Sequence, residues 1–349
     1  VREAGDRPIH VHDWRILQRL VDACGVLLEE QFELLDPIHS FLLGLFRRGR
    51  IIPGRSYLAG QTGKFPIICI SRSHEDTAMS LEPGLPIYEY DDTGQGDPLV
   101  LVPGGLTGWL SWAPHAQMLA EQQRVIRMQL HGVAYGLAGV PLPANYSVNF
   151  EVAALGTTLD SLGIEQADFA AWSYGASVTL SYAIHHPERV RTLTLIEPPA
   201  FWMLKSRGPL PDDALRLQSL LQPLAGADVT EDQLIAFARL VNLLPEGVDP
   251  RTLRQWPLWM EHRQSLRSQG SAFTHVDSLQ LLCAFDQPVL LVRGEGTSEA
   301  LDAITDVLSE ELRDVRVVTF PGGHAPHIVS MQPFLKSFRR FLADPGQPL

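Results

Sequence analysis

Ser173, His324 and Glu197 are residue types that can act as a nucleophile, its base and the carboxylate that orients the base, and the chemistry they could perform together is acyl transfer. Ser173 lies in Phe169-Ala-Ala-Trp-Ser-Tyr-Gly-Ala-Ser177, where a short apolar run meets a turn and residues 176–185 resume with apolar side chains at helical spacing. A strand that bends this sharply into a helix leaves room only for small residues two places either side of the serine. Ala171 and Gly175 meet that need, giving a small-x-Ser-x-small nucleophile elbow with Ala in place of the first Gly. The pattern is short, and a buried or helix-capping serine has the same letters. Its weight comes from two further residues. Glu197 opens Glu-Pro-Pro after the apolar run 191–196, and His324 closes Pro-Gly-Gly-His after 315–320. Each stands where a strand is expected to end, in the chain order nucleophile, acid, base. Pro103-Gly104-Gly105-Leu106 follows another apolar run, 99–102. A backbone N–H can approach a substrate oxygen where no Cβ obstructs it, so Gly105 and Tyr174, the residue after the serine, are candidate oxyanion donors. A plain turn is the competing reading of the Gly pair.

These side chains must be carried by a regular scaffold, and the alternation of apolar strand-like and helix-like segments supplies one. Strands are expected at 66–70, 85–90, 99–102, 125–129, 167–171, 191–196, 288–292 and 315–320. Helices are expected at 112–122, 152–162, 176–186, 298–312 and 332–342. Residues 91–98, DDTGQGDP, read as a hairpin connection, and residues 132–145 as a Gly-rich loop. Strictly alternating elements with near-continuous apolar strands indicate an α/β protein with a doubly wound, mostly parallel sheet. Sites in such sheets form at the carboxyl ends of strands, where Ser173, Glu197 and His324 fall.

Two segments interrupt the alternation. Residues 200–284 hold several helical patterns, near 212–225, 230–244, 250–268 and 276–284, and are rich in large apolar groups. They read as a helical cap over the site, between core segments 85–199 and 285–349. Trp202, Met203, Trp256 and Trp259 of the cap, with Leu106, are the candidate substrate-binding residues, although aromatic residues also fill a cap's own core. Residues 1–84 read as an N-terminal helical extension, with helical spacing over 12–48 and a first strand region. Packing on the core or self-association into a homo-oligomer is its expected use, with amphipathic membrane contact the lesser reading.

Bulk properties narrow the partners. A net charge of -12, with 28 basic against 40 acidic residues, disfavours nucleic acid. The three cysteines, Cys24, Cys69 and Cys283, lack metal-ligand spacing and read as buried thiols of a reducing compartment. No apolar run is long enough to span a membrane, and residues 1–20 are too charged for a secretory signal, so a cytoplasmic protein is expected. No metal or organic cofactor is called for by these residues, and the expected partner is a small molecule.

Residues 85–342 resemble the α/β-hydrolase superfamily throughout. The resemblance rests on the elbow, on Val102-Pro-Gly-Gly105, on Pro187-Glu-Arg-Val190 after the elbow helix, and on Pro321-Gly-Gly-His324. It implies a Ser173–His324–Glu197 triad. Most members take the acid from the loop after the strand at 288–292, here Arg293-Gly-Glu-Gly-Thr-Ser298, and no Asp stands at the usual place near Thr297. Glu197 matches the alternative in which the acid follows the preceding strand. Glu295 and Glu299 remain the other candidates. Within the superfamily the chain is most similar to the zearalenone-type lactonases. They share the loop at 102–106, a Glu-x-Pro acid at 197–199, a Gly-x-His-x-Pro loop at 322–326 and an aromatic-Pro-x-Trp in the cap, here Trp256-Pro-Leu-Trp259. That resemblance implies contact of Trp259 with a lactone. The elbow's flanking residues differ, and residues 1–84 have no counterpart there.

The expected function is a serine hydrolase that cleaves an ester or lactone of an apolar, aromatic or macrocyclic small molecule through an acyl-enzyme. Carbon–carbon bond hydrolysis and perhydrolysis use the same triad and stay open. A fold-alike binding protein without turnover is the non-enzymatic alternative. Ser rather than Asp at 173 speaks against dehalogenase and epoxide hydrolase chemistry.

Overall fold

The computed structural model describes residues 87–347. The expected helical extension, its proposed self-association, the strand at 66–70, Cys24 and Cys69 lie outside the described residues. Seven strands form one sheet in the order β1-β3-β2-β4-β5-β6-β7: β1 (Glu89–Thr93), β2 (Pro98–Val102), β3 (Arg124–Gln129), β4 (Ala167–Trp172), β5 (Val190–Ile196), β6 (Val289–Gly294) and β7 (Val315–Phe320). Only β1 runs antiparallel, against β3. The remaining pairs are parallel.

The strand residues divide by parity between two apolar layers, as a period of two demands. Val100 and Val102 of β2 and Phe169 and Ala171 of β4 face one layer. Leu99, Leu101, Ala170 and Trp172 face the other. The first layer is completed by α3 (Val148–Ser161), α4 (Tyr174–His185) and α10 (Glu299–Glu311). The second is completed by α1 (Ala113–Leu119) and α12 (Met331–Ala343), whose Phe334, Phe338 and Phe341 recur at helical spacing on the buried side.

Residues 91–98 are not a hairpin connection. β3 lies between β1 and β2, so the turn passes over a neighbouring strand rather than joining two paired ones. The Gly-rich stretch at 132–145 is not all loop either, because its first part is α2 (His131–Ala138). Gly132 and Gly136 serve close packing, and Gly139, at φ 67°, ends the helix. A Cβ on Gly136 would lie 2.6 Å from the backbone nitrogen of Ser265, and one on Gly132 would lie 2.5 Å from the Ser268 side chain. Glu151, fully buried, accepts from the N–H groups of His131 (3.1 Å) and Gly132 (2.8 Å) at the start of that helix. A carboxylate at a helix N-terminus satisfies orphan donors and complements the helix dipole, which offsets the poor helix propensity of the glycines.

Between β5 and β6 the chain runs through α5 (Phe201–Arg207), α6 (Asp212–Leu221), α7 (Glu231–Leu240) and α8 (Trp256–His262). A long 3-10 stretch, Arg263–Phe273, then leads to α9 (Leu279–Ala284). The 3-10 stretch is the one laid against α2. Beyond it, Asp277 accepts from Ser181 Oγ (2.6 Å) and His185 Nε2 (2.8 Å), tying the return of the cap to α4. Cys283 is half-buried rather than buried, and its thiol donates to Glu311 Oε2 at 3.1 Å. Among the described residues no helix is long and apolar enough to cross a membrane. A short helix, α11 (Pro326–Val329), follows the loop that carries His324.

Candidate active site

Ser173 is the single residue between β4 and α4, with φ 54° and ψ −128°. Its N–H donates to Ile196 O at 2.8 Å and its carbonyl accepts from Ala176 N–H at 2.8 Å, so the turn is bound at both sides. A positive φ costs a non-glycine residue roughly 1–3 kcal/mol and persists only where the surroundings impose it. Here the imposing contact is at Gly175, where a Cβ would lie 2.2 Å from the carbonyl oxygen of Pro103. The elbow helix therefore abuts the loop after β2, and position 175 admits no side chain.

Glu197 also has positive φ, 51°, directly after β5. Its carboxylate is fully buried, and buried charge must be partnered. Oε1 accepts from Gly294 N–H at 2.8 Å, and Oε2 accepts from the Thr297 hydroxyl. His324 Nδ1 stands 3.3 Å from the same Oε2, and His324 Nε2 stands 2.7 Å from Ser173 Oγ. The carboxylate fixes the tautomer: Nδ1–H points to Glu197, which leaves Nε2 to accept from the serine hydroxyl. With His324 only 3% exposed, this Ser–His–Glu chain is shielded except at Ser173, which is half-buried. Glu295 and Glu299, the other candidate acids, are exposed and make no contact with His324 among the described residues.

The third described non-glycine residue with positive φ is Asn242, φ 53°, in the turn after α7. It too touches the site. Its carbonyl accepts from His324 N–H at 3.4 Å, and its side-chain amide donates to Gly296 O at 3.0 Å. Among the described residues, the three non-glycine positions of positive φ are thus gathered at one place.

A small apolar cavity lies over Ser173 and His324. Leu217 and Leu221 of α6, Phe237 and Val241 at α7, Phe201, Phe273 and Leu301 form most of its wall, and Gln269 is its polar group. Its volume is about 30 Å³, room for roughly two waters. Neither Lys nor Arg lines it. Gln269 is seated on the loop after β2: its Nε2 donates to Gly105 O at 3.3 Å. A Cβ on Gly105 would lie 1.8 Å from that nitrogen, so a side chain there would have to displace the Gln269 amide. Gly105 and Tyr174 are both buried, and Tyr174 opens α4, where the first N–H groups have no intrahelical acceptor. The Tyr174 hydroxyl bonds Ser271 Oγ of the 3-10 stretch at 2.6 Å. Burial, with Glu151 nearby, pushes that phenol above its ordinary range, so it serves as a neutral tie between elbow and cap.

The structure brings Ser173, Glu197 and His324 together, with Tyr174 next in the chain to the serine and Gly105 against Gln269 of the cavity wall. Leu106, Trp202, Met203, Trp256 and Trp259 are buried in the main apolar layer and are not part of the cavity wall. The wall is made by leucines and phenylalanines of α6 and α7 that carry the same periodic signal as any core residue. Thr297, Gln269 and Asn242 had no sequence signal of their own; only the empty place for an Asp near 297 pointed toward the first. Two more histidines are buried behind the site. His115 Nε2 lies 3.0 Å from the carbonyl of His327, and the His327 ring packs 4.9 Å from Trp172. Burial lowers the His115 pKa to about 4, against a raising effect of that carbonyl. Burial chiefly, then the neighbouring His115 and His324, lowers that of His327 as well.

Comparison with known proteins fits this geometry. A 2-hydroxymuconate semialdehyde hydrolase from Pseudomonas sp. (strain CF600) is 39% identical over 108 residues, 30% of this chain and 38% of that protein. The chain thus spans well under half the length of that relative. Carboxylesterase YbfK from Bacillus subtilis (strain 168) is 26% identical over 202 residues, 56% of this chain and 63% of the relative. Among solved structures, the meta-cleavage product hydrolase from Pseudomonas fluorescens IP01 aligns with a TM-score of 0.58 at 17% identity, covering 74% of this chain and 95% of that one. At that identity the likeness is one of fold. Residues 97–330 match the alpha/beta hydrolase fold family over a span that takes in the elbow, the Glu197 strand end and the His324 loop, and the chain belongs to that family.

Proposed function

We propose that the protein is a serine hydrolase acting on a neutral ester or lactone of an apolar small molecule, with Ser173 as nucleophile, His324 as general base and acid, and Glu197 as the orienting carboxylate. The observation that carries this reading is the continuous chain Ser173 Oγ–His324 Nε2 (2.7 Å) and His324 Nδ1–Glu197 Oε2 (3.3 Å) beneath an apolar cavity. His324 takes the serine proton as Oγ attacks the carbonyl, and Glu197 stabilises the imidazolium that forms. The N–H groups of Gly105 and Tyr174 receive the oxyanion, each contributing about 3 kcal/mol of barrier reduction. The leaving alcohol takes the proton back from His324. Water, deprotonated by the same imidazole, then releases the acid from Ser173. The cap excludes bulk water while the acyl-enzyme exists. An aromatic or macrocyclic lactone is the substrate to try first, on the resemblance of the loops at 102–106, 197–199 and 322–326 to zearalenone-type lactonases. A reducing, cytoplasmic setting is part of this proposal and agrees with the free thiol of Cys283.

A second reading is supported by the 39% identity over 108 residues to a 2-hydroxymuconate semialdehyde hydrolase. Hydrolysis of a carbon–carbon bond in such an acidic dienoate uses the same three side chains. The absence of Lys and Arg from the described cavity wall favours the neutral ester, because a buried carboxylate substrate needs a compensating cation. One measurement tests the nucleophile common to both readings, and a second decides between them. A fluorophosphonate probe should label the protein and leave Ser173→Ala unlabelled. Turnover of p-nitrophenyl esters and aromatic macrolactones should then exceed that of a vinylogous 1,5-diketo acid. Labelling that survives Ser173→Ala would sink the scheme.

A further inference from the structure

We infer that Thr297 is a positioning residue whose hydroxyl, on the loop after β6, holds the Glu197 carboxylate in the orientation that meets His324. The inference rests on the proposed function, since it names the support of the acid assigned there.

Glu197 is buried on every side and hangs from a backbone of positive φ, so its carboxylate has little freedom to find water. One oxygen, Oε1, is satisfied by the backbone N–H of Gly294 at 2.8 Å. The other, Oε2, is shared. His324 Nδ1 approaches it at 3.3 Å, long for a bond to an ionised acceptor, whereas the Thr297 hydroxyl makes the close contact. The oxygen that faces the base thus also accepts from Thr297. Nor is that hydroxyl free to drift. Thr297 N–H donates to Gly294 O at 3.2 Å, Gly296 N–H donates to Gly322 O at 2.8 Å, and Asn242 donates its amide to Gly296 O at 3.0 Å. The loop that supplies both donors to Glu197 is thereby bound to the His324 loop on one side and to the cap on the other.

Two consequences follow from a hydroxyl donating to Oε2. The carboxylate plane is fixed, and so is the direction from which the imidazole is held. The donor also withdraws negative charge from the oxygen facing Nδ1, which weakens the carboxylate's stabilisation of the imidazolium. Its removal concentrates that charge on His324 and raises the pH at which the base loses its proton. The other groups facing the ring are Ser173, the indole of Trp172 and, from α11, the neutral His327.

Thr297→Val preserves the branched shape without the hydroxyl. With a p-nitrophenyl ester, kcat is expected to fall by about tenfold to a hundredfold, the loss that follows a small misplacement of a reacting group, with KM changed by less than about twofold. The acid limb of the kcat/KM profile is expected to move up by about half a pH unit or more. Thr297→Ser should restore most of both. If the valine variant does not fold, Thr297→Ala reads the same quantities. A variant whose melting temperature falls while kcat and the acid limb stay put, or whose losses serine does not rescue, overturns the inference. Glu197→Gln separates the two levels. Unchanged activity in that variant means the acid itself is misassigned, whereas a collapse there beside a fully active Thr297→Val defeats only the role of Thr297.

Discussion

Trp172 and His324 are joined through the main chain of the base: the indole Nε1 of Trp172 donates to the carbonyl oxygen of His324 at 2.7 Å. The residue before Ser173 thus anchors the loop that brings the imidazole to it, and Trp172, at the end of β4, supports the residue that faces the serine. Trp172→Phe removes the donor and keeps the ring. We expect kcat to fall about tenfold or more through a loosened His324, and stability to fall by about 1–3 kcal/mol because a buried carbonyl loses its partner. Steady-state kinetics beside a urea melt measure the two separately. Full kcat in a folded variant would show that the His324 loop holds itself.

Which carboxylate serves His324 is decided by substitution. Glu197→Gln should reduce kcat by a factor on the order of 10⁴, as when an orienting carboxylate is replaced by an amide that stabilises the wrong tautomer. Glu295→Gln and Glu299→Gln change exposed side chains and should leave kcat within about twofold. The reverse ranking would move the acid to the loop after β6.

The buried histidine pair behind the site makes the fold acid-sensitive. In the unfolded chain His115 binds its proton near pH 6.5, and in the folded protein only near 4; His327 is lowered in the same direction. Between those values the unfolded state holds more protons. Stability contributed by the neutral rings is therefore present above pH 6.5 and is lost as pH falls toward 4, at up to about 1.4 kcal/mol per pH unit for His115, with His327 acting in the same direction. His115→Gln should flatten the plot of unfolding free energy against pH in that window. An unaltered slope there would assign the acid sensitivity elsewhere.

Gly136→Ala sets two effects against each other. Alanine gains about 1 kcal/mol of helix propensity over glycine in α2. The added methyl, however, would meet Ser265 backbone atoms at 2.6 and 2.8 Å, and backbone does not yield cheaply. Overpacking of this kind costs about 1–3 kcal/mol, so a net loss of stability is expected, read as a lower melting temperature. A higher one would mean that the 3-10 stretch can shift away at no cost.

Much of this molecule is legible in its residues. The strand cores are read from apolar runs such as 167–172 and 190–196, because strands buried on both faces leave no other composition. Ser173, Glu197 and His324 are found by the same route, as polar residues at the ends of those runs. What was hidden is whatever depends on non-local contact. Glycines 132 and 136 look like loop residues until the segment packed on them is known, and β1 looks like a hairpin partner of β2 until β3 takes the place between them. The cavity wall shows a different ambiguity. Leu217, Leu221 and Phe237 follow the same amphipathic spacing as residues that pack only on protein, whereas the conspicuous Trp256 and Trp259 are buried among other apolar side chains.

The seam between α2 and the 3-10 stretch also bears on the room above Ser173. With Ser265 and Ser268 pressed against glycines, and Asp277 bound to Ser181 and His185, the return leg of the insertion is fastened at two points. The outward leg is fastened too, by Asp213 at the start of α6, which accepts from Ala300 N–H at 3.0 Å, and by Asn242 after α7, whose amide donates to Gly296 O at 3.0 Å; between these ties Leu217, Leu221 and Phe237 meet the cavity through apolar side chains. The size of the group that fits above Ser173 is therefore set by the apolar side chains that α6 and α7 hold between those two ties rather than by the polar residues beneath them.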